Sequence, residues 1–156
     1  MTNIYEPDFD EPREHDGFRV RRARIGHQLG TERIGISLWE IPPGEKAYPY
    51  HFHLAEEEAL IVLDGSPSLR TPAGSRRLSP GEVVRFPTGE EGAHQLWNEG
   101  SEDVRLLAVS THGTPDVVIY PDSNKLSAAE RLPESDGRKH FFHIDDEVDY
   151  WDGETA

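Results

Sequence analysis

Turn residues recur too often in this chain for helices of ordinary length to fit between them. Pro42-Pro43-Gly44, Asp64-Gly65, Pro72-Ala73-Gly74, Pro80-Gly81, Pro87-Thr88-Gly89, Gly100 and Gly113 interrupt the middle of the sequence. Glycine marks a turn by tolerating positive φ and proline by presetting φ. The segments left between them, 33–41, 59–63, 82–86, 94–97, 104–110 and 116–120, are short and rich in β-formers. Many short strands separated by turns predict an all-β sandwich or barrel. Ile34, Ile36 and Leu38 show the two-residue period of a strand. The run 59–63 is apolar on both faces and predicts a central, doubly covered strand. Two expectations concern the end of the chain. Ser127-Ala128-Ala129-Glu130 reads as a capping box that starts one helical turn. The rest after Tyr120 reads as loop, with the aromatics of 140–152 docking on the barrel.

The 156 residues suffice for one domain with a core of its own. A hydrophobic fraction of 35% is low for a packed protein, which leaves room for polar ends around an ordered middle. Residues 1–16 carry six acids and one base, and residues 144–156 carry six acids and no base, within a net charge of −14. The organisation read from this is an acidic N-terminal arm (1–16), a barrel domain (17–122) and a C-terminal extension with an acidic end (123–156). The ends read as solvated, solubilising tails. No basic stripe exists to neutralise a phosphate backbone, so nucleic acid is not the expected partner. No apolar run approaches a membrane span and no secretory pattern opens the chain, so a cytoplasmic protein is expected.

Cysteine is absent, which removes disulfides, thiolate nucleophiles and thiolate-bound metals in one step. Any metal must be held by His, Asp or Glu. His51 and His53 are two apart after a Pro-Gly turn, so on a strand both imidazoles share a face. Glu58 stands at the head of the apolar run, and His94 opens the segment after a later turn. Three imidazoles and a carboxylate suit a first-row divalent ion that keeps open positions for water or substrate. The fold must then bring His94 back to the other three.

The stretch from Gly44 through His51, His53 and Glu58 to Gly65 resembles the first motif of the cupin superfamily, G-x5-H-x-H-x3–4-E-x6-G. The stretch from Gly81 through Pro87, Gly89 and His94 to Asn98 resembles the second, G-x5-P-x-G-x2-H-x3-N. Two loops are longer than the motifs: six residues separate Gly44 from His51, and four separate Gly89 from His94. Both insertions precede ligands, where added length costs little. Among Glu56, Glu57 and Glu58, only Glu58 meets both the spacing from His53 and the spacing to Gly65. Strand parity places it with Leu60 and Val62, and leaves the earlier glutamates in a solvated loop.

The resemblance implies a cupin jelly-roll, or double-stranded β-helix, with extended N- and C-terminal arms, commonly a homodimer, with a metal held by His51, His53, Glu58 and His94 in its mouth. The metal expected there is Zn, Mn, Fe or Ni. It does not imply one reaction. The leading reading is a metal-dependent enzyme acting on a small polar substrate, a sugar or sugar-phosphate isomerase. The alternatives are a metal-dependent dioxygenase and a small-ligand-binding protein without turnover. No catalytic acid or base is assigned. A phosphate needs a cationic partner, and besides Lys46 the motifs offer only Arg85, whose face is undetermined. Gly65 and Asn98 read as turn residues. Trp39, Trp97 and Trp151 read as core or interface, with Trp97 facing away from the metal. His15, His27, His112, His140 and His143 read as surface or packing residues.

Overall fold

The computed structural model describes residues 2–112, 115–130 and 137–155. Its strands are β1 (Arg13–His15), β2 (Phe18–Ala23), β3 (Ile34–Ile41), β4 (Phe52–His53), β5 (Glu58–Asp64), β6 (Ser68–Thr71) and β7 (Gly74–Arg77). They continue with β8 (Val83–Phe86), β9 (Gln95–Trp97), β10 (Val104–Thr111), β11 (Asp116–Tyr120), β12 (Lys125–Ala129) and β13 (Lys139–His143). A short α-helix, α1 (Ile25–Leu29), ends at Gly30 in the left-handed conformation, which glycine adopts without strain. Among the described residues no helix is long and apolar enough to cross a membrane.

Among the described residues all strand pairs are antiparallel. One sheet runs β1-β2-β3-β10-β5-β8. Opposite it stand β13-β12-β11-β4 and β7-β6-β9. These two are stitched into one layer by the segment before β4: His51 and His94 exchange backbone hydrogen bonds at 3.2 and 2.9 Å, and Ala47 N–H donates to Leu96 at 2.9 Å. The core lies between the layers. Trp39, Ile41, Leu60, Val62, Val104 and Leu106 come from the first sheet, and Leu69 and Leu96 from the second. The alternation of strand side chains explains this set, because Trp39↔Leu106 and Leu106↔Val62 are direct cross-strand partners on one face.

The opposite face of the first sheet is covered by the N-terminal arm. Ala23, Ile25 and Leu38 are buried there, with Ile4 and Phe9 packed against them. Arg24 N–H donates to Asp10 at 2.8 Å, and the Gln28 side chain donates to the Asp8 carbonyl at 2.9 Å. Residues 4–10 are therefore strapped to the sheet by apolar contact and hydrogen bonds, and 13–15 join it as β1, so the arm is not held off by its charge. Apolar burial outweighs the repulsion expected of a charge run.

Three expectations are corrected. Residues 127–130 do not start a helix. Ser127 is fully buried in β12, which pairs with β11 on one side and β13 on the other. Sheet pairing on both edges overrides a local capping signature. The chain after Tyr120 is likewise strand at β12 and β13 and not loop throughout. Its aromatics do not dock: Phe142, Tyr150 and Trp151 are exposed, and Phe141, also exposed, only approaches the Tyr120 ring, at 6.2 Å. The third correction concerns β5, which is paired on both sides but lies one strand from the edge of its sheet, and of which only the inward row, Leu60 and Val62, is buried. Ala59, Ile61 and Leu63 are half-buried. Asn98 is a turn residue as read from the sequence: its side-chain oxygen accepts from Gly100 N–H at 2.8 Å, and its amide donates to Ile41 and Glu102 carbonyls.

Candidate metal centre

His51 and His53 do share a face, and the register that places them is set by neighbouring strands. His53 pairs with Val118 on β11, and His51 pairs with His94. Thus the exchange of hydrogen bonds that closes the second layer is what returns His94 to the first two imidazoles. Gly92 makes the loop before His94 tight enough, since a Cβ there would overlap the Pro87 carbonyl. Ring centroids of His51 lie 5.0 Å from His53 and 4.8 Å from His94. Glu58 enters from β5 across the cavity. Its Oε2 is 3.5 Å from His53 Nε2 and 3.4 Å from His94 Nε2. Ligand atoms of His51, His53 and Glu58 all lie within 4.8 Å of one another. All four residues singled out in the sequence therefore meet.

The tautomers follow from the partners. His51 Nδ1 is 2.9 Å from the Pro49 carbonyl, His94 Nδ1 is 2.8 Å from the Gly92 carbonyl, and His53 Nδ1 is 2.7 Å from Asp116 Oδ2. These three oxygens accept hydrogen bonds, so each Nδ1 carries the proton and each neutral ring turns an Nε2 lone pair to the shared space. Two donors about 2.1 Å from one ion at tetrahedral to octahedral angles sit about 3.0–3.4 Å apart, close to the nitrogen–oxygen separations here. The His/Glu group is positioned for a divalent metal.

Electrostatics agree with that role. Burial pushes the His51 pKa well below its ordinary value, and repulsion from His94 and His53 adds to it. Burial also lowers His94. For His53, burial is outweighed by the Asp116 hydrogen bond and the charge of Glu58, and its pKa rises. In the metal-free protein the first proton taken up by the trio goes to His53. The Tyr48 ring stands edge-on to His51 and His94, at 4.8 and 5.4 Å. Burial, then the charge of Glu58, raises its pKa well above the ordinary range, so its phenol stays protonated. Phe86 stacks on His94 at 3.7 Å.

The site opens into a cavity of about 480 Å³, within the size usual for small-molecule sites, about 300–1,000 Å³. Leu60, Phe86 and Val118 give it an apolar wall beside the imidazoles, and Trp39 lines it further out.

Several residues at or beside the site were not singled out by the sequence. Glu56, expected in a solvated loop, is 1% exposed and lies 3.7 Å from His53 Nδ1. His53, Glu56 and Asp116 form a second convergent group. Neither carboxylate lines the cavity, and the nitrogen they share is the one already engaged by Asp116, so this group backs His53 from behind. Glu57 faces solvent and pairs with Arg85, whose exposed side settles its face as outward. Trp39 is a cavity residue as well as core, Trp97 is half-buried and absent from the cavity wall, and Trp151 is exposed. His27 and His112 reach the cavity wall. Arg13 and Arg22, which no motif contains, line its mouth.

A family model for the cupin domain matches residues 37–110. The fold resembles a crystal structure of a candidate sugar phosphate isomerase from Acidithiobacillus ferrooxidans, with 30% identity, a TM-score of 0.74, and coverage of 85% of this chain and 81% of that one. It also resembles a sugar phosphate isomerase of a cupin superfamily from Silicibacter pomeroyi, with 25% identity, a TM-score of 0.75, and coverage of 88% and 83%. Auxin-binding protein 1 of Arabidopsis thaliana is 31% identical over 111 residues, which are 66% of this chain. The chain spans about half of that relative's length, 54%. With both histidine motifs meeting in one cavity of a two-layered β fold, the chain belongs to the cupin superfamily.

Proposed function

We propose that His51, His53, Glu58 and His94 hold a divalent transition metal, and that the protein uses it to isomerise a small sugar or sugar phosphate. The observation that carries this reading is the convergence of three Nε2 lone pairs and one carboxylate at the inner end of a cavity of small-molecule size. The names of the two structural relatives support the substrate class. A bound divalent ion supplies Lewis-acid polarisation of a substrate carbonyl. The chain supplies the rest. Asp116, Pro49 and Gly92 fix the three imidazoles by their Nδ1 protons, so the donor set is preorganised before anything binds. Leu60, Phe86 and Val118 exclude water around it. Tyr48, held protonated, is suited to donating a hydrogen bond to substrate oxygen and unsuited to taking a proton.

A second reading, capture of a small ligand without turnover, draws support from the likeness to an auxin-binding protein. The two separate in one experiment. Metal-loaded protein is incubated with a panel of aldose and ketose phosphates and followed by proton NMR in deuterated water, with oxygen uptake recorded in parallel. Interconversion with solvent deuterium incorporated next to the carbonyl supports isomerisation. Binding without interconversion favours the ligand-capture reading, and metal-dependent oxygen uptake would move the assignment to an oxygenase.

A further inference from the structure

We propose that Arg13 and Arg22 form an anion subsite for the phosphate of the substrate at the mouth of the cavity. The inference deepens the metal-centred reading above and rests on it for the other end of the molecule. The two guanidiniums reach the cavity from β1 and β2. Arg22 does so because it pairs with Trp39 across β2 and β3, and partners in register share a face. Trp39 belongs to the inward row, so Arg22 is inward too. Both guanidiniums lie over the Trp39 ring, Arg13 at 4.9 Å and Arg22 at 4.8 Å from its centroid. Trp39 in turn meets Tyr48 edge-on at 5.6 Å, and Tyr48 meets His51 and His94. Two aromatic rings thus connect the guanidiniums to the imidazoles along one wall, an arrangement suited to a ligand with oxygens to present at one end and an anion at the other.

The charge of the wall points the same way. Against a net charge of −14 for the chain, the described residues lining the cavity include Arg13, Arg22, Arg24 and Lys139 but only two carboxylates, Glu11 and Glu58. Glu58 is committed to the imidazoles. An anion approaching this acidic protein is therefore drawn to the mouth of this cavity. The guanidiniums are also preorganised. Arg22 Nε and Nη2 donate to Ser37 Oγ at 3.1 and 2.8 Å. Glu11 bridges the pair, accepting from Arg22 Nη1 at 2.8 Å and from Arg13 Nη2 at 3.3 Å. A carboxylate shared by two guanidiniums marks where a phosphate oxygen fits, because both anions suit the planar donor fork. Glu11 plays two parts: it aligns the cations, and it competes with an incoming phosphate.

The full chain, loaded with zinc, is titrated calorimetrically with ribose 5-phosphate and with ribose, and the metal-free chain with inorganic phosphate. We expect ribose 5-phosphate to bind at least tenfold tighter than ribose. Arg13→Gln with Arg22→Gln should erase that preference and the inorganic phosphate binding while leaving zinc affinity unchanged. Glu11→Gln should act in the opposite direction and strengthen inorganic phosphate binding several-fold, which misfolding cannot imitate. Inorganic phosphate binding that is absent from wild type, or that survives in the double variant, overturns the subsite. Failure of zinc to bind wild type overturns the metal reading instead, and the phosphate titration still reads the arginines.

Discussion

His53 Nδ1 donates to Asp116 Oδ2 at 2.7 Å, joining β4 to the first residue of β11 across 63 positions of sequence. Asp116 is fully buried. It touches no cavity space, yet it sets which nitrogen of His53 faces Glu58. Partners of this type typically contribute tenfold to a hundredfold to metal affinity. Asp116→Asn should therefore weaken metal binding by about 10–100-fold with the β circular dichroism unchanged, measured by competition against a chelator of known affinity. Equal affinity would show that Asp116 serves only the fold.

Glu58 and Glu56 make different claims on the metal. Glu58 Oε2 faces two imidazole Nε2 atoms from inside the cavity, whereas Glu56 approaches His53 from the Nδ1 side. We expect Glu58→Gln to lose at least tenfold in metal affinity, and Glu56→Gln to lose less. A reversed order in parallel chelator competitions would exchange their roles.

Gly92 links fold and site. A side chain there would overlap the Pro87 carbonyl, and the Gly92 carbonyl accepts from His94 Nδ1 at 2.8 Å. Gly92→Ala should destabilise the protein by about 1–3 kcal/mol, the usual range for overpacking, and loosen the metal as well. Thermal unfolding with and without zinc reads both. A variant with unchanged Tm would mean that the loop relaxes without strain.

Acid should release the N-terminal strap at a pH set partly by Glu11. Burial works to raise its pKa, but the guanidiniums of Arg22 and Arg13 outweigh burial and hold it below the ordinary 4.5. A carboxyl depressed in the folded state stabilises the fold above its unfolded pKa, and that stability is lost as pH falls through the folded value. The contribution of Glu11 to stability should thus be flat above about pH 5 and decline below about 4.5. Glu11→Gln should flatten part of that decline. Unfolding curves in urea from pH 7 to pH 3 test this, and identical acid profiles for the two proteins would contradict it.

Much of the candidate site was legible because its residues obey local rules. The two-residue spacing of His51 and His53 fixes a common face, and Glu58 shares parity with Leu60 and Val62 on β5. What was not legible depends on pairing between distant segments. Asp116 meets His53 only because β11 pairs with β4. Glu56 does lie in a loop, but it is buried rather than solvated. Arg13 and Arg22 lie outside both histidine motifs and reach the cavity through the β1–β2 hairpin. The capping signature at Ser127 failed for the same reason, since β11 and β13 decide its conformation from either side.

The central claim is that four side chains from three segments of the chain bind one ion. Metal content of the purified chain, after incubation with zinc, manganese, iron(II) and nickel and removal of excess, tests it most directly alongside His51→Ala with His53→Ala. We expect close to one ion per wild-type chain and none in the double variant, both with the same β circular dichroism. A wild-type chain that takes up none of the four, or a double variant that keeps its full load, would contradict the claim.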